Sequence, residues 1–308
     1  MNATAKSYFH RGGETSLLGT TITEHFLSVV GRFHDQEAVV SLPQQRRLNY
    51  GEFSEAVDQL ARGMASFRFG RGDRIGIWST NNIEWLLVQM ATARIGVILV
   101  NINPAYRLQE LSYVLRQSKL QGLFVIPRFR SSDYVAMLLE LIPEIRNAGP
   151  EIDSKDFPNL SRIFLFDPAS AGTTLSPAPG FTPWQNLILA ADAVSQQALQ
   201  QLTATLDRDD VINIQYTSGT TGFPKAVMLT HHNILNNAWF SARSMHFGEL
   251  DRLVVPVPFY HCFGMVLANL LCFSVGACII IGSEHFDAEK VLEAITAERC
   301  SAIHGVPT

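Results

Sequence analysis

The 308-residue sequence predicts an α/β fold, mostly parallel sheet with helices on both faces. Three observations predict it. Short apolar runs rich in Val and Ile alternate with amphipathic stretches of helical period. Apolar residues make up 47% of the chain and charged residues only 17%, which suits a large buried core. No internal repeat or low-complexity tract competes, and Gly 21 and Pro 14 exclude a collagen-like chain. A disordered chain would carry fewer apolar residues and a larger charge imbalance. Lys plus Arg is 24 and Asp plus Glu is 28, leaving −4. That balance offers no electrostatic footprint for nucleic acid or an anionic membrane. At roughly 150 residues per domain, the length suggests about two domains.

The elements follow in order. A short strand at 47–50 feeds a helix at 51–67. Phe53, Val57, Leu60, Ala61 and Met64 recur there at three- and four-residue steps, so one face is apolar. Gly70 and Gly72 end it, and 74–78 is a continuous apolar strand. Asn82 is placed to cap a helix at 83–95. Strand 97–100 is stopped by Asn103-Pro104. Helix 109–117, strand 122–126 and a helix capped by Ser132 to about 145 come next. Six prolines between 147 and 183 mark a surface connection and a candidate subdomain border, with one strand at 162–166. A helix returns at 184–202. Strand 211–216, a Gly/Thr/Ser loop, strand 226–229, a helix at 232–245 and strand 253–257 follow. Asp287 caps a helix to about 299, and 302–304 opens another strand.

From 253 to 283 no residue carries a formal charge. Its densest part, 265–281, is at the lower length limit for a spanning helix. Asn269, Ser274 and Gly276 interrupt it, and β-branched residues follow Gly276. A buried helix at 263–275, a Gly turn and a buried strand at 277–281 fit better, so no transmembrane segment is expected. Cys262, Cys272, Cys278 and Cys300 fit no zinc spacing and read as reduced core residues. The first twenty residues hold no apolar run of secretory type. Lys6, His10 and Arg11 precede the first acid without forming a clear basic amphipathic face. Cytoplasm is the expected location, with the mitochondrial matrix as alternative.

Chemistry concentrates at 216–230, Tyr-Thr-Ser-Gly-Thr-Thr-Gly-Phe-Pro-Lys-Ala-Val-Met-Leu-Thr. Gly219 and Gly222 let backbone N–H groups converge on one concavity. Thr217, Ser218, Thr220 and Thr221 add hydroxyl donors, and Lys225 adds a point charge suited to phosphate. Strands on either side would hold both ends. Pro224 before Lys225 and Ala226 after it rule out a Walker A loop.

This segment resembles the signature of the AMP-forming adenylate synthetases. Supporting segments are Pro258-Phe-Tyr-His-Cys-Phe-Gly264, Asn101-Ile-Asn-Pro-Ala-Tyr106, Leu229-Thr-His-His-Asn233 and Gly305-Val-Pro-Thr308. The wording is most similar to medium- and long-chain fatty acyl-CoA synthetases and runs from about Thr23 to Thr308. The resemblance implies stacked, mostly parallel sheets forming the front part of the family's large domain, at 23–308 behind a tail at 1–22. It implies a two-step ligase. A carboxylate attacks the α-phosphate of Mg-ATP, giving acyl-AMP and pyrophosphate, and CoA thiol then displaces AMP. Thr217, Ser218, Gly219, Thr220, Thr221, Gly222 and Lys225 would hold the ATP phosphates. His261 would orient the carboxylate. His231 and His232 are expected to be structural. The family carries Gly where Ala226 stands, which would strain the loop if that position needed φ > 0.

The family's Tyr-Gly-x-Thr-Glu segment, ribose-binding acid, hinge and mobile C-terminal lid with its catalytic Lys do not occur in the sequence. The expectation is therefore a truncated, inactive or impaired synthetase. Two alternatives stay open: a non-catalytic nucleotide- or partner-binding fragment, and an adenylating enzyme with an acceptor other than CoA. Oligomeric state is not readable from the sequence.

Overall fold

The apolar runs assemble into two sheets and a small hairpin. The computed structural model describes residues 13, 15–149, 151–169, 179–217 and 224–306. The larger sheet has the order Lys225–Thr230, Val211–Thr217, Ile98–Asn101, Arg74–Trp78, Gly122–Val125, Arg162–Leu165, Thr182–Pro183. All its neighbours are parallel except the first pair, which is antiparallel. The second sheet runs Ala302–Ile303, Arg252–Val254, Cys278–Ile281, Glu37–Ser41, Arg46–Asn49, with only the last pair antiparallel. The expected α/β class with stacked, mostly parallel sheets is what the chain forms.

Local chemistry explains most elements. Asn82 caps the helix Ile83–Ile95 by accepting from the Trp85 N–H at 2.8 Å. Asp287 does the same for Ala288–Glu298 through Lys290 N–H. Gly276 takes φ +89°, and a Cβ there would lie 2.4 Å from the Phe33 ring, so glycine serves both the turn and the packing.

Several boundaries differ from expectation. The cap expected at Ser132 is Asp133, which accepts from Ala136 N–H at 2.9 Å, while Ser132 lies in the hairpin Arg128–Phe129/Ser132–Asp133. That helix ends at Leu141 ahead of Pro143 rather than running to 145. The helix expected over 184–202 is two helices, Trp184–Ala190 and Gln196–Ala204, because Ser195 caps the second from Ala198 N–H. Strand 253–257 is shorter, Arg252–Val254. Helix Ile22–Phe33 and strand Glu37–Ser41 were not expected at all. The Thr21/Glu24 capping box is the signal that marks that helix. The uncharged stretch is helical over 262–275 and then the buried strand Cys278–Ile281. Among the described residues no helix is long and apolar enough to cross a membrane.

The central strands of each sheet are buried on both faces, while the edge strand Lys225–Thr230 is largely exposed. In the smaller sheet Val40, Val254, Cys278 and Ile280 face Val291 and Ala294 of helix Ala288–Glu298. The alternate residues Val39, Leu253, Ile279 and Ile281 join the main core. Helix Ile83–Ile95 is buried on nearly every side, with only Glu84 partly open. Arg94 there pairs with Asp58 at 2.8 Å. The aromatic rings of Phe26, Phe53 and Phe273 pack together, with Phe53 stacked on Phe273 at 4.9 Å.

Two polar groups couple this core to pH. His231 is fully buried, and its Nδ1 accepts from Ile22 N–H at 3.3 Å. Burial pushes its pKa down to about 4. An unfolded His protonates near 6.5, so between these values the unfolded chain takes the proton first. Stability should therefore fall by about 1–3 kcal/mol as pH drops from about 6.5 to about 4. Urea titrations at these pH values check this, and His231→Gln should flatten the limb. The second group is Glu298, which accepts from Arg47 and from Arg252 at 2.7 Å, while Glu37 meets the same two arginines. The hydrogen bond from Arg47 holds the Glu298 carboxyl below its ordinary value. A lowered carboxylate stabilises above its unfolded pKa and loses that contribution as pH falls through the folded one. Glu298→Gln should cost about 1–3 kcal/mol at pH 7, discounted for the exposed side of Arg47. It should also shrink the acid loss below about pH 4.5, as read from melting temperature against pH.

Candidate active site

Parallel pairing places the C-terminal ends of Val211–Thr217, Ile98–Asn101, Arg74–Trp78 and Gly122–Val125 along one edge of the large sheet. Ligands of open α/β sheets bind at such an edge. Thr217 ends its strand there, and Lys225 begins the antiparallel neighbour. The two are cross-strand partners and both are exposed. The ends of the expected phosphate loop are thus brought together. Ser218, Gly219, Thr220, Thr221 and Gly222 lie outside the described residues. Ala226 pairs with Tyr216 as an extended residue outside the positive-φ region, so alanine carries no strain there. The Tyr113 hydroxyl, on helix Leu108–Ser118, donates to the Pro224 carbonyl at 3.1 Å and holds the loop's far end.

His261 lies on the loop that follows strand Arg252–Val254 of the smaller sheet. It is exposed, and its Nδ1 accepts from Phe263 N–H at 3.1 Å. The neutral ring therefore carries its proton on Nε2. Gly264 makes the tight return possible, since a Cβ would meet the Pro258 carbonyl oxygen at 2.3 Å. Three buried asparagines fix this loop to the large sheet. Asn81 donates to the Val257 carbonyl at 2.9 Å and accepts from Phe259 N–H at 2.8 Å. Asn101 donates to the Tyr260 carbonyl at 3.0 Å, and Asn213 donates to Asn101 Oδ1 at 2.9 Å. Sequence reasoning missed all three roles, although Asn101 opens a segment already singled out. The helical turn after His261 widens to π geometry over Met265–Leu270, where Gln89 donates to the Met265 carbonyl at 3.2 Å.

Beside His261 lies an open cavity of about 740 Å³. Phe240, Met245, Phe263, Leu267 and Leu17 give it apolar walls, and Asn237 and Ser241 add polar ones. A smaller cavity of about 310 Å³ is bounded by Leu229, Ile234, Cys262, Val266 and Leu267. Cys262 and Phe263 directly follow His261, so both cavities border its loop. His304 stacks on Phe263 at 5.3 Å, and burial lowers its pKa, which favours the neutral ring as a wall. His231 is buried as described, and His232 is part-buried with its N–H on the Arg208 carbonyl at 2.8 Å, so both serve the scaffold. The four cysteines are free, with Cys272 and Cys278 buried and Cys262 and Cys300 partly so. Among the described residues no three His, Cys, Asp or Glu side chains gather to hold a metal ion.

Comparison with known proteins gives the family and the fold. YngI of Bacillus subtilis is 40% identical over 95% of this chain and 52% of its own. The mitochondrial medium-chain acyl-CoA ligase ACSF2 of Danio rerio is 37% identical over 98% of this chain and 49% of its own. The chain thus spans about half the length of the curated relatives it matches. A long-chain-fatty-acid-CoA ligase, FadD1 of Archaeoglobus fulgidus, superposes with a TM-score of 0.71 at 21% identity, over 98% of this chain and 54% of that one. At that identity the superposition speaks for the fold. The AMP-binding enzyme family matches residues 26–308, and the chain belongs to that family.

Proposed function

We propose that this chain supplies the ATP-phosphate and acyl-carboxylate sites of an AMP-forming acyl-CoA synthetase acting on a medium- or long-chain fatty acid. The observation that carries the reading is the pairing of Thr217 with Lys225 on the sheet edge where buried asparagines also anchor the His261 loop. Lys225 offers a cation to the β- and γ-phosphates, and Thr217, Ser218, Thr220, Thr221 and the N–H groups of Gly219 and Gly222 complete the cradle. His261 presents Nε2–H to the carboxylate oxygen and orients it for attack on the α-phosphate. The new acyl–oxygen–phosphorus linkage forms as pyrophosphate leaves. CoA sulfur then attacks the acyl carbon and AMP leaves. Negative charge grows in both steps, so fixed donors at this edge matter more than proton transfer. The apolar cavity beside Phe263 and Leu267 receives the hydrocarbon tail. Mg²⁺ bound to the ATP phosphates would shield their charge, and no residue among those described is assigned to it. The relatives named ACSF2 are mitochondrial, which favours testing the matrix alternative alongside cytoplasm.

Isothermal titration of the chain with Mg-ATP checks the cradle. Lys225→Ala should weaken ATP by about tenfold to a hundredfold, the scale of one charge-assisted hydrogen bond. Titration with decanoyl sulfamoyl-adenosine checks the second site. His261→Ala should weaken that ligand by about 1–3 kcal/mol and leave Mg-ATP affinity within about twofold. Equal ATP binding by wild type and Lys225→Ala would remove the phosphate assignment.

A further inference from the structure

We propose that Asn101, backed by Asn213, is a positioning residue that sets the orientation of His261 relative to the Thr217–Lys225 pair. The inference rests on the role given above to His261 and extends it to groups that touch no substrate.

The geometry starts from what an asparagine can do, with two N–H donors and one carbonyl acceptor. Asn101 is 3% exposed and uses both ends of its amide. Its Nδ2 donates to the Tyr260 carbonyl at 3.0 Å and to Met265 Sδ at 3.4 Å. Its Oδ1 accepts from Asn213 Nδ2 at 2.9 Å. Tyr260 precedes His261, and Met265 N–H donates to the His261 carbonyl at 2.9 Å. One side chain therefore grips the chain on both sides of His261. Asn213 is 2% exposed, and its Nδ2 also donates to the Leu99 carbonyl at 2.8 Å. It sits on the strand that ends at Thr217.

These contacts make a continuous rigid path. It runs from the strand carrying the phosphate loop, through two buried amides, to the peptide of His261. Exposed loop side chains ordinarily sample several rotamers. His261 is exposed, yet its Nδ1 is held by Phe263 N–H, and that contact depends on the backbone of 260–263. Asn101 fixes that backbone from below. The remaining neighbours of the cluster are neutral: Gln215 reaches Met265 Sδ at 3.7 Å, and Gln89 holds the Met265 carbonyl and Asn269.

The test reads His261 directly and needs no ligand. The full chain is labelled with ¹⁵N-histidine, and the His261 signals are assigned among the nine histidines by their loss in His261→Gln. The wild type should show His261 as a single Nε2–H tautomer above its titration, and a tautomer mixture in the wild type overturns the proposal. Asn101→Asp, which removes both donors, should mix the tautomers. In a second, uniformly ¹⁵N-labelled sample it should also speed amide exchange at Phe263 by at least about tenfold, while exchange in helix Ile83–Ile95 stays within about twofold. Asn213→Leu, which leaves the Tyr260 contact in place, should give the same change at smaller amplitude. It serves as the readable variant if Asn101→Asp fails to fold. Folded variants that keep the wild-type tautomer and Phe263 protection overturn the assignment. Because neither ATP nor acid is present, this result stands or falls separately from the binding titrations that test His261 itself.

Discussion

The constraint on which this structure depends is the burial of polar groups where the helices of its two sheets meet. Helix Ile83–Ile95 is enclosed there almost entirely. Every amide in that layer must find a partner or cost about 1–3 kcal/mol. Gln89 meets Asn269 and the Met265 carbonyl, and Asn81 meets both the carbonyl of Val257 and the N–H of Phe259. These bonds cross between elements of different sheets. They are directional, unlike the Val and Ile contacts around them, and so they set register where apolar packing alone would tolerate sliding. The loop with His261 inherits its position from this requirement.

Much of the fold was legible because its signals are local. Strand Arg74–Trp78 and helix Ile83–Ile95 follow from an apolar run and one capping asparagine, and both lie where expected. The helix split at 191–195 was missed because Ser195 competes with an otherwise continuous helical pattern. Strand Glu37–Ser41 was missed for a different reason. Its five residues pair on one side with Cys278–Ile281, about 240 positions away, and on the other with Arg46–Asn49 across the turn at 42–45; the hairpin partner was within reach of the sequence, the parallel one was not.

The site divides in the same way. The phosphate motif could be read because its glycines, hydroxyls and lysine fall within nine residues, 217–225. The asparagines could not. Asn101 and Asn213 are 112 positions apart, Asn101 and Tyr260 are 159 apart, and Asn81 and Val257 are 176 apart. A buried asparagine on a strand looks like any other until the fold supplies its partners. The same holds for Tyr113, whose contact with Pro224 joins a helix to the loop from 111 positions away.

The antiparallel edge of an otherwise parallel sheet sets where the two ends of the proposed phosphate loop lie. A parallel neighbour would need a crossover of a dozen or more residues, usually a helix. An antiparallel one lets the chain return at once, so Thr217 and Lys225 become direct partners across the ladder. Both ends of the segment are then held about 5 Å apart. In a Walker loop the lysine begins a helix, whose dipole assists in holding phosphate. Here Lys225 begins a strand, and no helix end follows at that point. On the proposed reading, the charge of Lys225 acts together with the N–H and hydroxyl donors that the sequence supplies at Thr217, Ser218, Gly219, Thr220, Thr221 and Gly222. The antiparallel switch also leaves Val227 and Met228 exposed on the edge strand beside the loop. Of the two anchor points only Lys225 lies on that edge strand, and Thr217 lies on its inner neighbour.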